Sequence, residues 1–175
     1  MKGAHSLLVI FCIGFVIAEA CSLAKQANGS KSGPAPSSTV HTTTEMKKRQ
    51  KIVAYAQELV GSEYLYAGTS PKTGFDCSGL TSYVMKEFKI KLSPASAEQA
   101  KQGIFIPLDK VRPGDLVIFG DKNRIQHVAM VVERNKSGIY CIHSTNSRGV
   151  VVDNITTSKY WKPLTLYARD VISGE

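Results

Sequence analysis

Three side chains have the types and spacing for nucleophilic chemistry. Cys77 stands in the segment Asp76-Cys77-Ser78-Gly79. Asp76 is a good helix N-cap, and Leu80, Val84 and Phe88 recur on one helical face. The spacing therefore predicts a helix from Cys77 to about Phe88. A thiol at a helix start meets free backbone N–H groups and the positive end of the helix dipole. Both lower its pKa and increase the thiolate, the nucleophilic form. Taken alone, the same residue reads equally well as a buried structural cysteine.

A thiol nucleophile needs a base, and the base needs an orienting partner. The chain has four histidines: His5, His41, His127 and His143. His5 falls in an apolar leader and His41 in a low-complexity stretch, which leaves His127 and His143. His127 opens the apolar run HVAMVV and His143 closes IYCIH. A hairpin through Asn135-Lys136-Ser137-Gly138 would bring both to its open end, although sequence does not fix the register. A lone strand histidine is more often a satisfied core or surface residue. Two at one sheet end, facing a helix-start cysteine, weaken that reading. Cys141 is two residues before His143 and points to the same strand face, which allows it a place near the site. The favoured reading for it is a small core residue. No ligand cluster has zinc-like spacing, so no metal is expected, and no cofactor is implied.

These residues need elements to hold them. Ile52, Val53, Ala56, Leu59 and Val60 recur at helical spacing, with Gly61 as a stop and Thr42 and Glu45 at capping-box spacing. Residues 62–75 are turn-rich. A short helix is expected after Ser93, with Pro94 at its first position and Gly103 beyond its end. Five short apolar runs follow: 116–119, 128–132, 139–143, 150–152 and 164–168. Turn residues separate them, which suggests an antiparallel sheet. Helices first and a sheet after make an α+β pattern, with residues 45–175 as one domain.

The N-terminal part reads differently. Residues 1–21 carry Lys2, then an apolar run from Leu7 to Ile17 that is too short to span a bilayer comfortably. They read as a signal peptide. Ala18-Glu19-Ala20-Cys21 allows either cleavage after Ala20 or lipidation of Cys21. Residues 22–44 are rich in Ser, Thr, Gly, Ala and Pro, contain no acid or aromatic residue, and read as a flexible tether. The formal net charge is +8, which suits anionic partners such as cell-envelope polymers or anionic lipid. No nucleic-acid motif accompanies it. Cys77 and Cys141 alone do not make a disulfide framework.

The segments YLYAGTSPKTGFDCSGLTSYV (64–84), SAEQAKQGIFIPLDKVRPGDLVIF (96–119), HVAMVVE and YCIHSTN together resemble the NlpC family of papain-like cysteine peptidases. Each motif is weak alone; in combination they cover nearly all of 45–175. The resemblance implies a papain-like fold, with N-terminal helices packed on the sheet. It implies Cys77 as nucleophile, His127 as base and His143 as the residue orienting His127. It also implies Tyr64 near the nucleophile, with Asp76 and Ser78 lining a pocket for the substrate's free amine.

The implied substrate is the peptidoglycan stem peptide, cut between D-γ-glutamate and the diamino acid. A monomer is expected, outside the cytoplasm in the cell envelope, on a lipid anchor at Cys21 or simply secreted. The lipobox match is imperfect, because an aliphatic residue usually stands where Ala18 does. Many members carry arginine where this chain has Pro94, which bears on substrate preference. Three other readings keep the fold: an amidase cutting between sugar and stem, a non-catalytic wall-binding module, and a toxin delivered into rival cells.

Overall fold

The computed structural model describes residues 38–173. The 1–21 leader, Cys21 and most of the 22–44 stretch lie outside the described residues. The chain order is α1 (Ser38–Gln57), β1 (Thr69–Ser70), β2 (Gly74–Phe75), α2 (Cys77–Glu87), α3 (Ser96–Gln99) and β3 (Ile104–Ile106). Then come β4 (Leu116–Gly120), β5 (Ile125–Asn135), β6 (Gly138–Thr145), β7 (Gly149–Asn154) and β8 (Thr165–Asp170). Strands β3 to β8 form an antiparallel sheet in the order β3-β8-β4-β5-β6-β7.

This is the α+β pattern of the sequence, with three differences. The sheet has six strands rather than five, because β3 is too short to show a period. Helix α1 begins at Ser38, inside the 22–44 stretch, and ends at Gln57. Thr42 is therefore within the helix rather than at its cap. Glu45 reaches forward instead of back: its carboxylate accepts from Arg49 Nε at 2.7 Å and Arg112 Nη1 at 3.0 Å. Helix α3 is a single turn capped by Ala95, so Pro94 precedes it rather than opening it.

Two apolar layers flank the sheet. On one face Ile52 and Ala56 of α1, Leu80 and Val84 of α2, and Val128, Met130 and Ile142 of the sheet form one core. Burying a side chain of this size contributes roughly 1.5–3 kcal/mol. On the other face Val117, Phe119, Ala129, Val131, Cys141 and Ala168 are covered by Val111, Ile155, Trp161 and Leu164.

Arg49 ties α1 to the sheet. It is fully buried, and Nη1 donates to Asp115 Oδ1 and Nη2 to Asp170 Oδ1, each at 2.7 Å. Nη1 also donates to the Pro113 carbonyl at 3.1 Å. The Pro113-Gly114-Asp115 segment is thus an anchor for this guanidinium. Arg112 adds an ion pair to Asp170. Burial alone would raise the Asp170 pKa, but bonds from Ser173, the Ile172 amide and Arg49 bring it down to about 2.

Candidate active site

Cys77 owes its position to the loop before it. Asp76 caps α2: Oδ1 accepts from the Gly79 amide at 2.6 Å and the Ser78 hydroxyl at 3.1 Å. Its Oδ2 accepts from the Ala67 amide at 3.0 Å. The Asp76 amide donates to the Gly68 carbonyl at 3.0 Å. Position 79 must be glycine for this approach, since a Cβ there would stand 1.9 Å from that same oxygen. The segment Asp-Cys-Ser-Gly is therefore a packing unit that holds a thiol at a helix start.

Two further clamps act on it. Gln99, buried in α3, donates to the Ser78 carbonyl at 3.0 Å and accepts from Thr81 Oγ1 at 2.7 Å. Ser144 Oγ donates to the Phe75 carbonyl at 2.6 Å. That bond ties the residue after His143 to the residue two before Cys77.

The two histidines come together through a β-bulge. The β5–β6 hairpin pairs Asn135 with Gly138 and Glu133 with Tyr140, then shifts by one, so that Val131 pairs with Cys141 and Met130 with Ile142. Without the extra residue at Val132, His143 would fall opposite Met130 and point to the face away from His127. With it, His143 shares the face of Ala129 and His127. His127 Nε2 and His143 Nδ1 are 2.9 Å apart. On its other side, His143 Nε2 is 3.1 Å from Asp153 Oδ2. The Trp161 ring stacks on His127, 4.6 Å between centroids, and contacts His143 at 4.7 Å.

A cavity of about 720 Å³ opens beside this chain, with Tyr64, Cys77, His127, Arg148, Asp153 and Trp161 among its walls. The amide of Val128, next to His127, reaches the Cys77 sulfur. His143 is fully buried behind His127. Tyr64, Cys77 and His127 thus line one cavity, with His143 bonded to His127.

Asp76 and Ser78, the residues implied to line a pocket for the substrate's free amine, bond the helix start. Ser78 is buried, the Asp76 oxygens are engaged as described, and neither lines this cavity. Their visible work is to build the helix start. Pro94 also lies off the cavity, beside a separate cleft near Lys89. Cys141 is fully buried in the core covered by Trp161, on the sheet face that His127 and His143 share, and both it and Cys77 are free thiols.

Asp153, Arg148 and Trp161 were missed by sequence reasoning. Trp161, the chain's single tryptophan, was the one available signal.

Burial dominates the electrostatics. It pushes the Cys77 thiol up, against the amides of Val128, Ser78 and Cys77 itself, which favour the thiolate. The helix start expected to lower this pKa is outweighed by loss of water. Burial also pulls His127 down to about 3, with His143 adding to the effect, and lowers His143 despite Asp153. Asp153 is held at about 2, first by the Arg148 hydrogen bond and then, against burial, by His143. Burial thus disfavours the charged form of both the thiol and the imidazole. Tyr64 is raised by burial and by Asp76 and Cys77.

The model of the NlpC/P60 family matches residues 61–170. This chain belongs to the NlpC/P60 family. With membership comes the papain-like α+β fold read from the sequence. Among curated relatives, a gamma-DL-glutamyl hydrolase of Bacillus subtilis is 34% identical over 124 residues, covering 69% of this chain and 29% of that protein. A murein DD-endopeptidase and murein LD-carboxypeptidase of Escherichia coli K12 is 32% identical over 126 residues, covering 71% and 64%. The chain thus spans less than two thirds of the length of either. The crystal structure of an NlpC/P60 family protein from Bacillus cereus superposes with a TM-score of 0.65 at 26% identity, covering 71% of this chain and 40% of that one.

Proposed function

We propose that this chain is a cysteine-type peptidoglycan hydrolase that cuts a peptide bond in the stem peptide. The observation that carries the reading is Cys77 and His127 in the wall of one cavity, with His127 Nε2 already engaged by His143. Only Nδ1 is then left to serve the thiol.

The chemistry follows from a thiol and an imidazole that share one cavity. His127 Nδ1 takes the Cys77 proton as sulfur bonds to the scissile carbonyl carbon. The backbone N–H of Cys77 is suited to donate to the resulting oxyanion. Collapse breaks the C–N bond, and the proton on His127 leaves with the amine. Water then attacks the thioester, giving one proton to His127, and the thiol recovers it as the acid departs. His143 orients His127 throughout.

We assign the bond between D-γ-glutamate and the diamino acid as the target. The family resemblance and the murein in the name of the Escherichia relative support a wall peptide as substrate, and the name of the Bacillus relative supports a γ-glutamyl bond. Digestion of purified wall followed by end-group analysis tests this. A new amine on the diamino acid is expected; release of intact stems beginning with L-Ala would identify an amidase instead. We also propose that the protein works at the cell envelope, held by lipid on Cys21. Labelling with a radioactive fatty acid should be lost in Cys21→Ser, and unlabelled wild-type protein would contradict the anchor.

A further inference from the structure

We propose that Asp153 is a positioning residue whose carboxylate fixes the ring protonation of His143 and, through it, of His127. The inference deepens the Cys77–His127 reading above and rests on it. Asp153 lies in β7, 26 positions beyond His127, yet its carboxylate bonds one histidine and the indole that packs on both. Its Oδ2 accepts from His143 Nε2 and from Trp161 Nε1, both at 3.1 Å. Arg148 closes the other side with Nη1 on Oδ1 at 3.1 Å and Nη2 on Oδ2. Trp161 in turn packs on both imidazoles.

The proton assignment follows from donors and acceptors alone. An ionised carboxylate only accepts, so the His143 nitrogen facing it carries hydrogen. A neutral imidazole has one N–H, so His143 Nδ1 is bare and must accept. His127 Nε2 therefore carries hydrogen, and His127 Nδ1 is left bare toward the thiol. Every bond in the chain is used once, and the direction of donation is set at Asp153. The groups facing this chain agree with a neutral histidine pair: Arg148 neutralises the carboxylate, Cys141 is a buried thiol, and Trp161 presents only a donor. Without the carboxylate, His143 can take the reverse form, donate to His127 Nε2, and leave the hydrogen of His127 on Nδ1. That form cannot accept the Cys77 proton.

The role predicts an effect on turnover rather than on substrate binding. An amide at 153 can present either its oxygen or its NH2, so both directions of the chain become populated.

The test uses the full chain carrying Asp153→Asn, Asp153→Glu or Cys77→Ala, a soluble stem-peptide fragment as substrate, and iodoacetamide as probe of Cys77. Rates are referred to the folded fraction, measured for each variant by thermal melting, so that misfolded protein does not count. Asp153→Asn should lose roughly 10- to 100-fold in kcat with KM little changed. The pH profile of Cys77 alkylation should also shift, because the base has changed. Asp153→Glu should recover part of kcat, since a carboxylate is restored.

Unchanged kcat and an unchanged alkylation profile in Asp153→Asn, in an enzyme that Cys77→Ala inactivates, overturn the role of Asp153 alone. Full hydrolysis by Cys77→Ala overturns the peptidase reading and this inference with it. If Asp153→Asn does not fold, Asp153→Glu decides. A wild-type alkylation profile with kcat reduced only in proportion to the folded fraction would make Asp153 merely structural.

Discussion

The Arg49 cluster and the His127–His143–Asp153 chain are built from the same material, ionisable side chains taken out of water. Arg49 spends Nε, Nη1 and Nη2 on Glu45, Asp115 and Asp170, and all these partners belong to the fold itself. The histidine chain satisfies one end on Asp153, Arg148 and Trp161, and its other end is a bare ring nitrogen in a cavity shared with a thiol. Among the described residues no buried side-chain nitrogen or oxygen lacks a partner. The difference therefore lies in where each network stops. A network closed on itself holds α1 to the sheet. A network with one end left to a cavity can exchange a proton with whatever enters it.

Breaking the open end should cost the most activity and the least stability. His127→Ala is expected to lower stem-peptide hydrolysis by about 10²- to 10⁴-fold with the melting temperature little changed. Matched losses of activity and melting temperature would put His127 in the same class as Arg49.

Arg49→Ala should do the reverse. It leaves Asp115 and Asp170 buried without their cation, which costs about 3–5 kcal/mol. Hydrolysis per folded molecule should persist. Denaturant unfolding with a parallel activity assay checks both halves, and a stable but inactive variant would count against the division.

Acid should titrate the two imidazoles before the lowered carboxylates of Asp153 and Asp170. The folded pKa of His127 is about 3 against an ordinary value of 6.5, so the unfolded chain binds the extra proton between them. Stability then falls as pH drops from 6.5 toward 3, and the lowered pKa of His143 adds in the same direction. Asp170, with about 2 against an ordinary 3.8, contributes stability above 3.8 that is lost only as pH falls from there toward 2. Urea unfolding at a series of pH values should show the upper fall shrink in His127→Ala. A flat curve between pH 6.5 and 5 in the wild type would contradict the buried neutral pair.

Cys141 sharpens the comparison at the small end, since it is close to the chain yet outside it. Cys141→Ala should cost on the order of 1 kcal/mol, the scale of removing a small buried group, and leave hydrolysis unchanged. Loss of activity there would extend the site into the core covered by Trp161.

The legible parts of this protein are those encoded locally. The Asp76 cap and the apolar face of Leu80 and Val84 marked α2 and its first residue, and the turn at 135–138 marked the hairpin. The bulge at Val132 was not legible, because one extra residue leaves the apolar run of β5 unbroken while reversing which face His143 occupies. Asp153 and Trp161 reach the histidines from β7 and from the irregular segment after it, whose course is set by packing on the far face rather than by any period. Burial, too, is tertiary: the helix start at Cys77 pointed to a lowered thiol pKa, and only the enclosing structure shows that desolvation wins.

The most direct test of the account is mass spectrometry of the fragments released from purified wall by the wild type and by Cys77→Ala, with both proteins shown to melt alike. The account predicts cleaved stem peptides from the wild type and none above background from the variant. Equal release by the two proteins would contradict it, because the helix-start thiol would then play no part in the reaction.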